Sequence, residues 1–384
     1  MKNNKDRAWI EINLSSLKHN VEIIKKALPT KTKIMAVVKA NATGHGSILV
    51  AKDLEHLGIT DFAVASLDEA IELRENGIKG NILIFGFTSF ENLEDVIKYD
   101  LMQTIIDYSY SEKIKKLDLS QKLKCHVKIN TGMNRLGENH DNIENLTRIY
   151  ENDKLDVRGT FSHFCVADSE KEEHVKFSKQ QIENFDRCIE ILQGKGFDLG
   201  KIHLQASYGL TNYPELEYDF VRMGIFLYGV DSSLGAYQKK RLDLKPILSL
   251  KARVASIKEI SEGESVSYGR IYRAPSTRKV AAISIGYADG FPRSLVENDM
   301  YVKINGQTAK IIGSICMDQT MADVTDIENV SIGDEVVFID AEDENFSALN
   351  IATKSDNIVT EFLSRLGARL PRIGFYDNEK DESI

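Results

Sequence analysis

Between residues 33 and 223 the chain repeats one pattern. Short apolar runs, rich in β-branched residues, alternate with stretches of helical periodicity. The runs fall at 34–38, 62–65, 82–86, 103–106, 125–130, 159–164, 202–205 and 220–223. Helical spacing appears at 15–28, 47–57, 67–74, 91–97 and 175–192. Apolar runs too uniform for one-sided burial read as strands covered on both faces, and helical crossovers between them imply parallel pairing. Eight such units predict an α/β fold with an N-terminal (β/α)8 TIM-like barrel; a doubly wound open sheet is the alternative. An alternating strand at 8–14 precedes the series. Near residue 240 the texture changes. Two-residue alternation appears at 248–254, 279–285, 300–304 and 333–339, with the hairpin signal Asn305-Gly306 and a late helix at 358–366. The expected division is a barrel over 8–240, a C-terminal mostly-β domain over 241–376, and a polar tail over 377–384 that frays.

Composition narrows the function. A length of 384 residues suits two domains, and 42% hydrophobic and 28% charged residues are ordinary for a globular chain. A net charge of −9 argues against nucleic acid or an anionic membrane as partner. No apolar run reaches the length of a membrane span, and the N-terminus leads into amphipathic sequence without a signal-peptide core. Cys125, Cys165, Cys188 and Cys316 lack metal-ligand spacing, so no metal is expected. These features predict a cytoplasmic protein that acts on a small molecule.

Chemistry concentrates where the predicted barrel strands end. Lys39 closes the run 34–38 and precedes Gly44-His45-Gly46. Burial there disfavours the ammonium and frees a nucleophilic amine, which suits a Schiff base with pyridoxal phosphate or a carbonyl substrate. Its ordinary alternative is a lysine reaching out to solvent. Ser207, Gly224 and Ile225 follow the last two strands, where a hydroxyl and free backbone N–H groups suit a phosphate; turn chemistry is the plainer reading. Arg222 precedes that glycine. An inward arginine needs a partner, and beside a pyridine ring it would leave the ring nitrogen unprotonated. That would weaken the ring as an electron sink and limit side reactions such as transamination. Arg135 follows the fifth strand, and Lys128 lies within it as a like charge needing neutralisation. In the β domain, Tyr268-Gly269 and Cys316-Met317-Asp318 stand out. A catalytic tyrosine would need a lowered pKa.

Six motifs occur in order: Val38-Lys39-Ala40-Asn41-Ala42-x-Gly44-His45-Gly46, Thr131-Gly132-Met133-x-Arg135-Leu136-Gly137, Arg222-x-Gly224-Ile225-x-Leu227-Tyr228-Gly229, Tyr268-Gly269, Gly286-Tyr287-Ala288-Asp289-Gly290 and Ile315-Cys316-Met317-Asp318-Gln319. Together they resemble the alanine racemase family, barrel-type pyridoxal-phosphate enzymes, from about residue 8 to 372. The segment 207–214 most resembles the racemase domains of serine/alanine racemases, which carry a membrane domain not read in these 384 residues. The resemblance implies an amino-acid racemase with pyridoxal 5'-phosphate as cofactor, working as a homodimer with shared active sites. It gives Lys39 as the Schiff-base lysine and one base, and Tyr268 from the partner subunit as the opposing base. Arg222 would face the pyridine nitrogen with His203 in support, and His163 would stand behind the tyrosine. Arg135 would meet the cofactor phenolic oxygen and the substrate carboxylate, and Lys128 would be open to carbamylation. Ser207, Gly224 and Ile225 would hold the phosphate. Met317, with Cys316 and Asp318, would form a substrate-side loop from the other subunit.

Two positions depart from the family pattern. Thr43 and Gly374 stand where tyrosines are usual. Their loss predicts a weaker phosphate clamp and a wider pocket that admits serine or larger amino acids besides alanine, with Tyr376 placed to refill the gap. The competing readings are a barrel-type decarboxylase and a non-catalytic pyridoxal-phosphate-binding protein. Tyr268 and the Cys316-Met317-Asp318 motif count against the first, and the β domain counts against the second.

Overall fold

The computed structural model describes residues 5–377; the tail predicted beyond Asp377 lies outside the described residues. Eight strands run parallel around a barrel: β2 (Lys33–Val37), β3 (Asp61–Val64), β4 (Asn81–Ile84), β5 (Met102–Ile105), β6 (Leu123–Asn130), β7 (Leu155–Phe161), β8 (Lys201–His203) and β9 (Phe220–Met223). β9 pairs with β2, Phe220 opposite Lys33, and an Ala206–Arg222 bridge joins it to the chain leaving β8. The sheet is therefore closed, and the open-sheet alternative fails.

Side-chain alternation sorts the barrel into two layers. Ile34, Ala36, Phe62, Val64, Ile82 and Ile84 pack outward under the helices, the burial of each except Ala36 contributing roughly 1.5–3 kcal/mol. Met35, Ala63, Leu83, Met102 and Phe220 form a separate small core inside. On the other half of the wall the interior is polar: His126, Lys128, His203 and Arg222 are all buried. In β6 the change occurs every second residue, with Cys125, Val127 and Ile129 in the outer core and His126 and Lys128 inside.

Helices follow the strands: α1 (Leu14–Ala27), α2 (Ser47–His56), α3 (Leu67–Glu75), α4 (Leu93–Lys98), α5 (Tyr108–Lys115), α6 (Ile143–Tyr150), α7 (Glu172–Gly194) and α8 (Ser207–Asn212). α1 is capped by Asn13, whose side chain accepts from the Ser16 amide at 3.0 Å, rather than by Ser15 or Ser16 as their hydroxyls suggest. α5 and α6 were not predicted, yet both carry cap signals: Asp107 accepts from the Tyr110 amide and Asn142 from the Asn145 amide.

The second sheet contains β10 (Leu248–Ile260), β11 (Arg278–Ile283), β12 (Tyr301–Ile304), β13 (Gln307–Ile311), β14 (Thr320–Asp323), β15 (Glu335–Ile339) and β16 (Arg372–Phe375). The Asn305-Gly306 turn joins β12 to β13 with both residues at positive φ, as that dipeptide predicts. Helices α9 (Ala348–Lys354) and α10 (Val359–Ser364) complete it.

The span 8–240 needs one correction. β1 (Ala8–Asn13) pairs antiparallel with β10 and parallel with β16, so it belongs to the second sheet. Every residue of β1 is buried, and an alternating hexapeptide carries no record of which sheet it joins. Burial alone would raise the carboxyl of Glu11 in this strand, but Lys5, Lys251 and the Trp9 indole hold it down to about 2. The predicted fraying also does not begin at residue 377. The Asp377 amide donates to Ser15, and its carboxylate accepts from Asn13 at 2.9 Å.

Candidate active site

A cavity of about 380 Å³ opens at the carboxyl ends of the barrel strands. Lys39, Lys128, Arg135 and Arg222 line it, and no Asp or Glu does so among the described residues. A chain of net charge −9 has thus gathered four cationic side chains around one small space. The arrangement suits a ligand carrying phosphate and carboxylate groups.

Lys39 follows the end of β2, but the chain does not then enter an ordinary helix. Ala40, Asn41, Ala42 and Thr43 have φ of 52, 54, 51 and 51°, a left-handed turn built without glycine. L-residues there cost roughly 1–2 kcal/mol each, so the turn persists only because its surroundings over-determine it. The Glu69 carboxylate accepts from the Ala40 amide at 2.6 Å. The Asn41 side chain accepts from the Ser47 amide at 2.8 Å. His45 Nδ1–H donates to the Ala42 carbonyl at 2.8 Å, which fixes its tautomer, and its ring stacks on Tyr228. Arg372 Nε donates to the Gly44 carbonyl at 3.0 Å. Gly44 itself must lack a Cβ, which would lie 2.0 Å from the Leu363 carbonyl oxygen.

Lys39 opens onto the cavity. The protein packed around its amine and the nearby Arg135 lower its pKa, and Glu69 acts in the opposite direction. Lys128 is pushed down to about 7 by burial, then by Arg222, Arg135 and Lys39. Its ammonium lies 4.6 Å from the centre of the Phe161 ring, which partly compensates for lost solvation.

Arg222 is buried and has no carboxylate partner among the described residues. Its NH1 donates to His203 Nδ1 and its NH2 to His163 Nδ1, both at 2.9 Å, with the Ser162 and Leu204 carbonyls accepting at 2.8 Å. An arginine only donates, so Nδ1 of each histidine must be an acceptor. His203 Nε2 then carries the hydrogen and donates to His126 Nδ1 at 2.9 Å. Burial, then Arg222, hold His163 and His203 well below the ordinary histidine value, and the same causes lower His126 to about 3. Burial lowers Arg222 only to about 9, so it stays protonated at neutral pH. The result is a cation held by neutral imidazoles, a donor fixed in direction. Replacing His203 by leucine strands Arg222 NH1 in the interior. His203→Leu is expected to lower the unfolding free energy by roughly 2–4 kcal/mol, measured by urea unfolding at neutral pH.

Ser207, Gly224 and Ile225 line the cavity with Lys39, as does His163. His203 lies behind Arg222. Tyr268, Cys316, Met317 and Asp318 are not on the cavity wall. They sit together in the β domain, where Ser314 Oγ–H donates to the Tyr268 carbonyl and the Ser267 hydroxyl lies 3.3 Å from Cys316 Sγ. Asp318 accepts from Arg369 at 2.7 Å. Tyr268 is 72% exposed and Met317 53%. Sequence reasoning placed Glu69 in a helix and Phe161 and His126 in strands without giving any of them a role in the site.

The two departures fall outside the cavity wall. Thr43 belongs to the left-handed turn. A Cβ on Gly374 would meet Leu49 Cδ1 at 2.8 Å and Leu14 Cδ1 at 3.2 Å, so leucines fill that space. Tyr376 does not reach the cavity either: its hydroxyl donates to Asp53 of α2.

The donor set fits pyridoxal phosphate. It supplies an amine for the aldehyde, a fixed hydrogen-bond donor for the ring nitrogen, and a hydroxyl at Ser207 with the chain at Gly224 and Ile225 for the phosphate. This is the architecture of a barrel enzyme for an anionic ligand. Two family models match: the alanine racemase N-terminal domain over residues 12–232 and the alanine racemase C-terminal domain over 247–374. The chain belongs to the alanine racemase family. It is 38% identical over 367 residues to an amino-acid racemase of Enterococcus faecalis, covering 95% of this chain but only 51% of that protein. It is 38% identical over 370 residues to the alanine racemase of Carboxydothermus hydrogenoformans, covering 95% and 98%. Among solved structures, the alanine racemase of Clostridium difficile 630 superposes with a TM-score of 0.91 at 34% identity, covering 98% of this chain and 97% of that one. Among the described residues no helix is long and apolar enough to cross a membrane, and no group of side chains is arranged to hold a metal ion.

Proposed function

We propose that this chain is a pyridoxal-phosphate-dependent amino-acid racemase acting on alanine. The observation that carries the reading is the cation-lined cavity containing the Lys39 amine and an Arg222 held by neutral histidines. Kinship with proteins named alanine racemase supports it. Kinship with one named amino-acid racemase supports serine or larger amino acids as further substrates.

Lys39 would hold the cofactor, Arg222 its ring nitrogen, and Ser207 with the Gly224 and Ile225 amides its phosphate. When bound, pyridoxal phosphate would hold the amino acid covalently and draw electrons from its α-carbon, making the α-proton acidic. The residues do the rest. Arg135 binds the substrate carboxylate and fixes which bond faces the bases. Lys39, with its lowered amine, takes the α-proton on one face. The partner subunit's Tyr268 returns a proton on the other, and the roles exchange for the opposite enantiomer. Arg222 keeps its own proton, so the ring nitrogen gains none. Lys128, with its amine near 7, is available to take up carbon dioxide as a carbamate and so neutralise Arg135.

Two features support a shared site in a homodimer. Tyr268 and Met317 are exposed, and neither lines the cavity of its own chain. The test is complementation. Lys39→Ala and Tyr268→Phe, each nearly inactive alone, are unfolded together, refolded as a mixture with cofactor, and assayed for alanine racemisation by chiral chromatography. Each mixed dimer then holds one intact site, so activity returns to about a quarter of wild type. No recovery, with dimers formed, contradicts the shared site. Racemisation absent from the wild type contradicts the function.

A further inference from the structure

Glu69 occupies the third position of α3, where a glutamate ordinarily reaches back to the amide of the capping residue. Here the cap is Ser66, whose hydroxyl accepts from the Glu69 amide at 3.4 Å. The carboxylate does something else. Oε2 accepts from the Ala65 amide at 2.7 Å, one residue before the cap, and Oε1 accepts from the Ala40 amide at 2.6 Å in the neighbouring loop. One carboxylate thus ties the loops after β2 and β3 together. Both loops supply cavity residues, Lys39 and Ala65. Ala40 is the first left-handed residue and shares a peptide bond with Lys39.

We propose that Glu69 is a positioning residue for Lys39: its carboxylate fixes the first peptide of the left-handed turn and keeps a negative charge beside the amine. The charged and titratable groups around Lys39 are otherwise one-sided. Lys128 comes from β6, Arg135 from the loop after it, His163 from the end of β7 and Arg222 from β9. Glu69 is the acidic group among the influences on Lys39, and it opposes burial and Arg135. Without it, the amine would fall further and the turn would lose the anchor at its first residue.

The inference rests on the proposed role of Lys39, but its test does not need an active enzyme. Cofactor-free protein is acetylated with acetic anhydride across a pH series, and labelling at Lys39 is followed by mass spectrometry. In Glu69→Gln the labelling midpoint is expected to fall by roughly one pH unit relative to wild type. Glu69→Asp, which keeps the charge, is expected to restore most of the shift. Ser66→Ala removes the cap of the same helix; it is expected to lower stability to urea and leave the midpoint in place. A midpoint unmoved in Glu69→Gln, or moved equally by Ser66→Ala, overturns the proposal and reduces Glu69 to a helix cap. Uptake of pyridoxal phosphate by the wild type, read from visible absorbance, is scored separately. Its failure would sink the functional reading while the labelling still decides the role of Glu69.

Discussion

Lys39→Ala is expected to lose visible absorbance from bound pyridoxal phosphate and to lower alanine racemisation by at least about a thousandfold, the scale on which a positioned base acts. The variant should fold. The side chain opens onto the cavity, and the turn behind it is held through backbone amides and carbonyls that alanine retains. Removing one of four crowded cations also relieves repulsion among Lys39, Lys128 and Arg135. Thermal stability of the cofactor-free variant should therefore equal or exceed that of wild type. Residual racemisation within tenfold of wild type would exclude Lys39 as base and as cofactor anchor.

The second large effect is on stability. His45, His126 and His203 are buried, and burial is the first cause of each lowered value: about 4 for His45, about 3 for His126, and well below the ordinary value for His203. In the unfolded chain each would protonate near pH 6.5. The unfolded state therefore binds more protons once the pH drops below that value, and stability falls with it. At about pH 5, His45 and His126 each cost roughly 2 kcal/mol, about 4 kcal/mol together, and His203 adds to the loss in the same direction. Urea unfolding of cofactor-free protein at about pH 7 and about pH 5 measures this directly. An unchanged midpoint would mean that these imidazoles are already charged in the fold. That would undo the tautomer chain from Arg222 through His203 to His126.

Much of the barrel was legible because its strands are short, bounded by turns and ended by polar residues, and β2, β3 and β4 are apolar on both faces. Lys39 stood out because a lysine ending such a run has few other uses. The left-handed turn after it was not legible. Ala-Asn-Ala-Thr contains no glycine, and of the four only the asparagine adopts positive φ readily. Beside the local Asn41 and His45 contacts, the turn's braces come from Glu69, 29 residues from Ala40, and Arg372, 328 residues from Gly44. His126 did leave a trace, since His126, Lys128 and Asn130 alternate with Cys125, Val127 and Ile129. Such alternation signals a polar interior once the barrel is known to close. The destination of β1 left none, because its partners β10 and β16 lie at the far end of the chain. The pocket expected from Thr43 and Gly374 also depended on packing. Leu49 and Leu14 lie where a side chain at 374 would go, so Gly374→Tyr must displace them before it can narrow any substrate site.

Racemisation here requires two bases on opposite faces of a bound amino acid. The most direct measurement is α-proton exchange in deuterium oxide, using cofactor-loaded protein and single-enantiomer amino acids, with chiral analysis of the product. Deuterium incorporation into L-alanine together with its conversion to D-alanine is the predicted result, and Tyr268→Phe should retain exchange only for the enantiomer whose α-proton faces Lys39 while losing inversion of both. Exchange with full retention in the wild type would contradict the account, because it would leave a single working base.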